Sequence, residues 1–187
     1  DPHAGMGVAV GDWDGDRRSD IFVSNSRGQG HALYRSNPPD ANDPSFTDVR
    51  ADAGIDLERS TGWGASWADF DNDTDLDLVL VNGYIPVTNL GRDAERIQIF
   101  QNLFAEGREG RFREVRDAVQ GVGRVVARGS AAADYDNDGD LDVAVLPLGR
   151  PLVLLQNRGA VGWLEVALEG APPGAEVTVT LADGRKL

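Results

Sequence analysis

Short runs of large apolar residues recur along the chain, and a polar, aspartate-rich stretch precedes each of them. The runs lie at 21–23, 78–81 and 143–146 and are rich in Val, Ile and Leu. Apolar runs of this length, bounded by Asp, Asn and Pro, predict strands that are buried on both faces. A helix would need apolar residues at a period of about 3.6, and the segment 93–96 is long enough for one turn at most. The pattern therefore predicts an all-β chain.

Further strand-like segments surround each run and repeat in the same order. A stretch of small residues that begins with glycine comes before the run, and a second apolar strand comes after it. These two segments lie at 7–11 and 32–34, at 64–68 and 97–100, and at 129–133 and 152–155. The asparagines that follow the second apolar strand are Asn37, Asn102 and Asn157. A last segment begins with Phe at 46–49 and 112–115, which makes four strands of about 5–6 residues per unit.

These segments form an internal repeat that aligns without gaps around its aspartates. Asp12, Asp69 and Asp134 occupy equivalent positions. Repeats of four short antiparallel strands are typical of β-propeller blades. The sequence therefore predicts three four-stranded antiparallel repeats, which occupy about 1–58, 59–123 and 124–161. Because propellers use about 4–8 blades, we expect the three repeats to be part of a larger propeller.

The third unit departs from the first two after its second apolar strand. In place of the segment that begins with Phe it has an apolar stretch at 162–168, a Pro-Pro-Gly turn and the run 176–181. Val177 and Val179 alternate with polar residues, which suits a half-buried strand. We therefore expect residues 162–187 to begin a second, small β-domain.

Negative charge is concentrated in the stretches between strands. The chain has a net charge of −13 and 31 acidic residues, of which 23 are Asp. Fourteen of these Asp lie in the windows 12–20, 69–77 and 134–142, which account for all but one of the net negative charges. The shortage of Lys and Arg argues against a nucleic-acid binder. No apolar run approaches the roughly 20 residues that span a bilayer, and the lack of Cys excludes a disulfide scaffold and a thiol nucleophile.

Each window has the pattern Asp-x-Asp-x-Asp-x-x-x-Asp, which brings four carboxylates onto one tight turn. At roughly 5 Å and an effective dielectric constant near 20, each pair of charges repels by about 3 kcal/mol. A cation relieves this repulsion, and oxygen-only ligands favour Ca²⁺, which takes about 6–8 oxygens in irregular geometry, over the more strictly octahedral Mg²⁺. We therefore predict three Ca²⁺ sites with the side-chain ligands Asp12, Asp14, Asp16, Asp20, Asp69, Asp71, Asp73, Asp77, Asp134, Asp136, Asp138 and Asp142.

A further ligand in each loop is predicted to be the backbone carbonyl at the seventh position, from Arg18, Asp75 and Asp140. In that arrangement the Asp75 and Asp140 side chains point outward. The sixth position of the third loop is Gly139, which suits a left-handed turn, whereas Arg17 and Thr74 are expected to be strained there. An EF-hand is excluded, because it needs a Glu at about position twelve and a helix after it.

Three segments share a pattern of glycines, small residues and aspartates: Gly5-x-Gly7-x-Ala9 with Asp12-Trp13-Asp14-Gly15-Asp16, Trp67-Ala68-Asp69-Phe70-Asp71-Asn72-Asp73, and Ala133-Asp134-Tyr135-Asp136-Asn137-Asp138-Gly139-Asp140. They resemble FG-GAP/VCBS repeats, the calcium-loop blades of integrin-α-like β-propellers. The resemblance covers residues 5–157 and implies a secreted or surface calcium-binding propeller with an adhesion or scaffolding role. The tail at 162–179 is similar to the start of the ASPIC/UnbV domain, which follows such repeats in secreted proteins.

Signals for catalysis are weak along the chain. Only His3 and His31 offer an imidazole base, and we interpret His31 as a surface or turn residue. The sequence contains no nucleophile elbow, zinc-protease motif or phosphate-binding loop. Carboxylates that chelate a cation have lowered pKa values, which makes them poor general acids. We therefore expect that the protein is not an enzyme.

The favoured function is an extracellular calcium-binding propeller module for protein or surface interaction and adhesion, in which calcium is structural. We expect it to be secreted, periplasmic or on the cell surface. Its expected partners are a protein or surface glycan and further propeller blades, and no nucleic acid. One alternative is a carbohydrate-binding or polysaccharide-active propeller, which rests on Trp13, Trp63, Trp67 and Trp163. Another is a structural subunit of a larger surface assembly.

Overall fold

Three antiparallel sheets follow one another along the chain in the computed structural model, which describes residues 3–38, 45–55, 58–159, 170, 177–180 and 182. The first sheet contains β1 (Gly5–Gly11), β2 (Asp20–Asn25), β3 (Ala32–Ser36) and β4 (Phe46–Asp48), hydrogen-bonded in chain order. The second contains β5 (Gly62–Ala68), β6 (Asp77–Asn82), β7 (Gln98–Asn102) and β8 (Phe112–Glu114), in the same order. The third contains β9 (Ala127–Ala133), β10 (Asp142–Pro147) and β11 (Val153–Leu155).

The all-β prediction is confirmed by these sheets. Two of them have the predicted four strands, and the third has three within the described part of the chain. The third unit has no segment that begins with Phe, and residues 160–169, which follow its third strand, lie outside the described part of the chain. Most of the predicted β segment at 162–187 lies outside the described residues.

The helix α1 (Arg50–Ala53) was not predicted. A helix of four residues is too short to show a period, and Ala53 and Ile55 are completely buried beside it. The segment 93–96 forms no helix; instead Glu95 makes an isolated β-bridge with Val125. Across the described ranges, no helix has the length and hydropathy required to cross a membrane.

The aspartate-rich windows form the connections between the first two strands of each sheet. In every sheet the last residue of the first strand pairs with the ninth residue of the window. The three pairs are Gly11 with Asp20, Ala68 with Asp77, and Ala133 with Asp142. The same pairing of the first two strands therefore places the aspartate-rich window of each sheet at a hairpin bend.

The middle sheet is buried on both faces, because one neighbouring sheet packs against each face. Along β6, Leu78 and Leu80 belong to the same hydrophobic core as Phe22 of the first sheet. Val79 and Val81, which point the opposite way, join Val143 and Val145 of the third sheet in a second core. The prediction of burial on both faces is therefore confirmed for β6.

The same prediction is wrong for the outer sheets. In the first sheet, Ile21 and Val23 of the predicted run are only partly buried, and the adjacent strand β1 exposes Val8 and Val10 by 61% and 60%. In the third sheet, Leu146 of the predicted run is exposed by 56%. Within the described residues, no further sheet covers these faces. The strands of the outer sheets therefore have apolar residues on both faces, as a fully buried strand does, although another sheet covers only one of the two faces.

Glycine is required where the first strands of neighbouring sheets touch. A Cβ atom on Gly7 would lie 1.8 Å from the carbonyl oxygen of Trp63, and one on Gly64 would lie 2.6 Å from the backbone nitrogen of Ser130. A Cβ on the equivalent Gly129 would meet nothing closer than Leu146 at 3.9 Å. The glycine at this repeat position thus allows one sheet to approach the next.

We predict that Gly64→Ala destabilises the chain by about 1–3 kcal/mol, because the backbone of the third sheet must move to admit a methyl group. Gly129→Ala is the matched control and should change stability by less than about 0.5 kcal/mol, since its site is open. Guanidinium chloride unfolding curves of the two variants measure the difference. Equal losses for both variants would contradict the proposed contact.

Candidate metal centres

The first aspartate of each loop organises the bend from within. Asp12 accepts hydrogen bonds from the backbone N–H groups of Asp16 at 3.0 Å and Arg17 at 2.7 Å. The same two bonds, to the residues four and five positions later, recur at Asp69 and Asp134 with distances of 2.9–3.2 Å. Because an Asp side chain readily caps a turn of its own backbone, the sequence shapes these bends locally.

The ninth aspartate of each loop is buried and ties the bend to the rest of its sheet. Asp20, Asp77 and Asp142 are exposed by 0%, 2% and 1%. In the second loop, Asp77 accepts from the N–H of Phe70 at 3.2 Å and from the N–H of Asn102 at 2.7 Å. Asp20 and Asp142 accept the two corresponding bonds in their own sheets. Both oxygens of this carboxylate are thus held by backbone donors.

Three of the predicted side-chain ligands in each loop come together. Those at the first, third and ninth positions each bring one carboxylate oxygen to within 4.8 Å of the other two. The three sets are Asp12 with Asp14 and Asp20, Asp69 with Asp71 and Asp77, and Asp134 with Asp136 and Asp142. The predicted spacing therefore produces the same acidic cluster at all three bends.

The fifth-position aspartates lie outside these three sets. The oxygens of Asp16 and Asp138 accept the backbone N–H of Arg18 at 2.9 Å and of Asp140 at 3.0 Å. Asp73 accepts the equivalent bond from Asp75 at 3.1 Å and also belongs to a separate group with Asp75 and Glu106. Direct participation of the fifth position in the main sites stays a prediction.

The expectation that Asp75 and Asp140 point outward is wrong, because both side chains are buried, with exposures of 8% and 4%. Asp75 accepts a hydrogen bond from the backbone N–H of Ala105 at 3.0 Å. Asp140 accepts one from the side-chain amide of Asn72, in the loop of the neighbouring sheet, at 2.8 Å. The tertiary packing of each loop against its neighbours decides these orientations.

The sixth position of every loop has the predicted left-handed backbone. Its φ angle is 66° at Arg17, 84° at Thr74 and 90° at Gly139. Only glycine adopts this region without steric cost, and a β-branched residue is the least suited to it. The second loop therefore contains the most strained residue of the three.

Two asparagines join neighbouring loops, a role that the sequence did not reveal. The side-chain amide of Asn102 donates to the carbonyl of Trp13 in the first loop at 2.8 Å. The amide of Asn157 makes the equivalent bond to the carbonyl of Phe70 in the second loop at 2.7 Å. The recurrence of Asn at the end of the third strand or just after it was the available signal, but the acceptor is distant in sequence. Each of these two hydrogen bonds holds one bend against the neighbouring sheet.

Burial opposes ionisation of several loop carboxylates. It raises the pKa of Asp20 from 3.8 to about 6 and that of Asp77 to about 8. It also raises the pKa of Asp14, Asp69 and the neighbours Asp73 and Asp75, and nearby carboxylates add to the shift. Without a cation, the folded loops therefore bind protons that the unfolded chain would release.

This donor set fits a hard divalent cation. Every candidate ligand atom is a carboxylate oxygen, the donor type that Ca²⁺ and Mg²⁺ prefer. A cation among these oxygens would offset both their repulsion and the cost of burying their charge. The clusters therefore have the composition of metal sites.

The structure tests the interpretations of His31 and of the tryptophans. His31 follows the turn at 27–29, but it is completely buried and its Nδ1 accepts the backbone N–H of Asn25 at 3.0 Å, so its interpretation as a surface residue is wrong. The described tryptophans face protein: Trp13 is 3% exposed, Trp67 contacts Phe22 and Phe112, and Trp63 lies under the Arg128 guanidinium. These contacts agree with core packing and do not support an exposed sugar platform. Trp163 lies outside the described residues.

We predict that the metal-free chain loses stability as the pH rises from about 5 to 8. Protons held by folded carboxylates whose pKa is raised stabilise the fold at low pH, and this contribution disappears as pH passes the values of about 6 for Asp20 and about 8 for Asp77. Thermal unfolding in a chelating buffer at several pH values measures the trend. A melting temperature that rises over this range would contradict the burial of charged carboxylates.

Relieving the strained backbone of the second loop should stabilise the chain. Thr74 is exposed, so Thr74→Gly removes a left-handed threonine without loss of a core contact, and we expect a gain of about 1 kcal/mol. The reciprocal change Gly139→Thr should cost about 1–2 kcal/mol. Denaturant unfolding of both variants tests the sign. A loss of stability for Thr74→Gly would show that the side chain outweighs the strain.

Comparison with protein families finds a match for part of the chain. Residues 12–80, which include the first two loops, match the FG-GAP-like repeat family. The predicted FG-GAP resemblance is therefore supported over this segment. The ASPIC/UnbV resemblance of the tail and the integrin-like propeller stay predictions.

Two curated proteins show similarity over a longer stretch. The chain is 31% identical over 140 residues to mouse cartilage acidic protein 1, and 29% identical over 139 residues to the human protein of the same name. These alignments cover 75% and 74% of this chain but only 19% and 18% of the relatives. The chain thus spans about a fifth of the proteins it resembles and carries an FG-GAP-like repeat within that span.

Proposed function

We propose that the chain is a calcium-stabilised repeat module that acts outside the cell in protein or surface interaction and is not an enzyme. The observation that carries the proposal is the threefold recurrence of one acidic hairpin. Each bend places three carboxylate oxygens within 4.8 Å of one another, including one from an aspartate exposed by no more than 2%. A solvated acidic surface would not reproduce the same buried arrangement three times.

The first, third and ninth aspartates of each loop would hold the ion. The predicted fifth-position carboxylate and seventh-position carbonyl would complete an oxygen shell. Calcium would supply positive charge at a bend whose own residues are almost all acidic. The protein contributes the backbone hydrogen bonds that fix the ninth aspartate, so ion binding and hairpin formation become coupled.

A structural rather than catalytic role is supported by the way in which the carboxylates are held. In Asp77, for example, both oxygens accept backbone hydrogen bonds, from Phe70 and Asn102. Such a group is positioned to stabilise a bend and is restrained from exchanging a proton with a substrate. The described tryptophan rings face protein, so we do not extend the proposal to carbohydrate recognition.

An extracellular location suits this kind of site. Calcium sites in extracellular modules are commonly weak, with Kd on the order of 10⁻⁴–10⁻³ M, and therefore fill where calcium is abundant. The name of the mouse and human relatives refers to cartilage, which agrees with this location. Secretion and adhesion are part of the proposal on these grounds.

Further sheets of the same repeat are proposed to cover the outward faces of the first and third sheets. In the described residues, the face of the first sheet that carries Phe22 packs on the face of the second that carries Leu78. The opposite face of the second sheet carries Val79, at the position equivalent to Phe22, and packs on Val143 of the third sheet, at the position equivalent to Leu78. The uncovered faces are apolar, with Val10 exposed by 60% and Leu146 by 56%. Repeating the observed packing would bury them and extend the array toward a propeller.

Calcium is predicted to raise the melting temperature of the chain, and chelation to lower it. At a calcium concentration tenfold above Kd, each occupied site contributes about 1.4 kcal/mol to the folded state. Thermal unfolding at pH 7.5 with calcium or with a chelator measures the effect. Asp71→Asn and Asp136→Asn each remove one third-position ligand and should reduce the calcium-dependent shift by about one third.

Asp117→Asn is the matched control, because Asp117 is exposed and lies outside the three loops. It removes the same charge and should leave the calcium-dependent shift unchanged. A melting temperature that is insensitive to calcium would overturn the structural role of the ion. Equal effects of Asp71→Asn and Asp117→Asn would indicate non-specific screening of negative charge.

A further inference from the structure

The second loop has a separate acidic group beside its main cluster. One carboxylate oxygen each from Asp73, Asp75 and Glu106 lies within 4.8 Å of the others. Glu106 is far from the loop in sequence and lies between β7 and β8. The backbone of the adjacent Ala105 donates to Oδ2 of Asp75 at 3.0 Å, which fixes this segment against the loop.

Within this group an oxygen of a buried carboxylate has no partner. Asp75 is 92% buried, since only 8% of its surface is exposed. Its Oδ2 accepts the Ala105 bond, but its Oδ1 is inaccessible to solvent and no N–H or hydroxyl group donates to it, and the side chain next to this carboxylate is another acid, Asp73. A buried carboxylate oxygen without a donor is costly, which indicates that a positively charged or donating group belongs beside it.

The other two loops supply such a group at the same position. In the first loop, the seventh residue is Arg18, and its guanidinium pairs with the fifth-position carboxylate of Asp16. In the third loop, the seventh residue Asp140 receives the side-chain amide of Asn72. The second loop has acidic residues at both positions and a third acid, Glu106, next to them. Among the described residues, no arginine or lysine pairs with these three.

We propose that the second loop binds an additional Ca²⁺ ion between the carboxylates of Asp73, Asp75 and Glu106, with the two oxygens of Asp73 shared between this ion and the main one. The ion replaces the guanidinium of the first loop and provides the missing partner for Asp75 Oδ1. Three carboxylates from different parts of the chain form an irregular oxygen set, which Ca²⁺ accepts more readily than Mg²⁺. The site differs from the three predicted ones because it uses the seventh-position side chain and Glu106, and it is specific to the second loop.

A consequence of this site is a link between the bend and the segment that connects β7 and β8. Gln101 already joins them, since its amide donates to Asp71 at 2.6 Å and to Glu106 at 3.2 Å. The ion would add a second connection that depends on calcium. Occupation of the site therefore orders a surface segment of the second sheet.

Counting bound calcium in the wild-type chain and in Glu106→Gln tests the proposal. Equilibrium dialysis against calcium at about millimolar concentration should give one ion fewer per chain for Glu106→Gln than for the wild type. Glu109→Gln is the matched control, because Glu109 is exposed in the same segment and lies outside the group. It should bind as many ions as the wild type. Equal numbers for all three proteins would overturn the additional site while leaving the main sites intact.

Anomalous scattering can locate the ion. The experiment uses crystals of the wild-type chain grown with Mn²⁺, another cation that prefers oxygen ligands. The expected map has a peak between the side chains of Asp75 and Glu106, separate from the peak at Asp69, Asp71 and Asp77. A single peak at the second loop would overturn the proposal. Absence of both peaks, with no calcium bound in dialysis, would overturn the proposed function as well, so the two failures are distinguishable.

Discussion

The burial of one aspartate at the end of each hairpin bend is the constraint on which the rest of this structure depends. Asp20, Asp77 and Asp142 lie where the second strand begins, and each uses both carboxylate oxygens to hold backbone N–H groups. This fixes the bend relative to the third strand. At Asp20 and Asp77 the site also opposes ionisation of the carboxylate, because burial raises the pKa of both groups. A cation is the natural solution to that conflict.

The loops are connected to one another as well as to their own sheets. Asn102 and Asn157 reach from one sheet to the bend of the preceding one. Gly7 and Gly64 permit the first strands to approach until no side chain fits between them. The acidic bends therefore lie along one edge of the packed sheets, and hydrogen bonds connect each of the first two bends to the sheet that follows it.

The three loops are similar but not interchangeable. The seventh residue is Arg18 in the first loop, where its guanidinium pairs with Asp16. It is Asp75 in the second loop, where one carboxylate oxygen receives no donor, and Asp140 in the third, where it accepts the amide of Asn72. The sixth position changes from Arg17 to Thr74 to Gly139 without a change in its left-handed conformation. A repeated backbone thus carries distinct local electrostatics, which is how one motif can provide sites of different strength.

The sequence by itself determined the sheets, the hairpin bends and the clustering of the first, third and ninth aspartates. These features depend on alternation, turn chemistry and spacing, which act over a few residues. Only the tertiary structure decided that Asp75, Asp140 and His31 are buried, that the two asparagines join neighbouring bends, and that Glu106 meets the second loop. Each of these depends on how separate sheets pack. The partners are distant in sequence, so no local pattern could identify them.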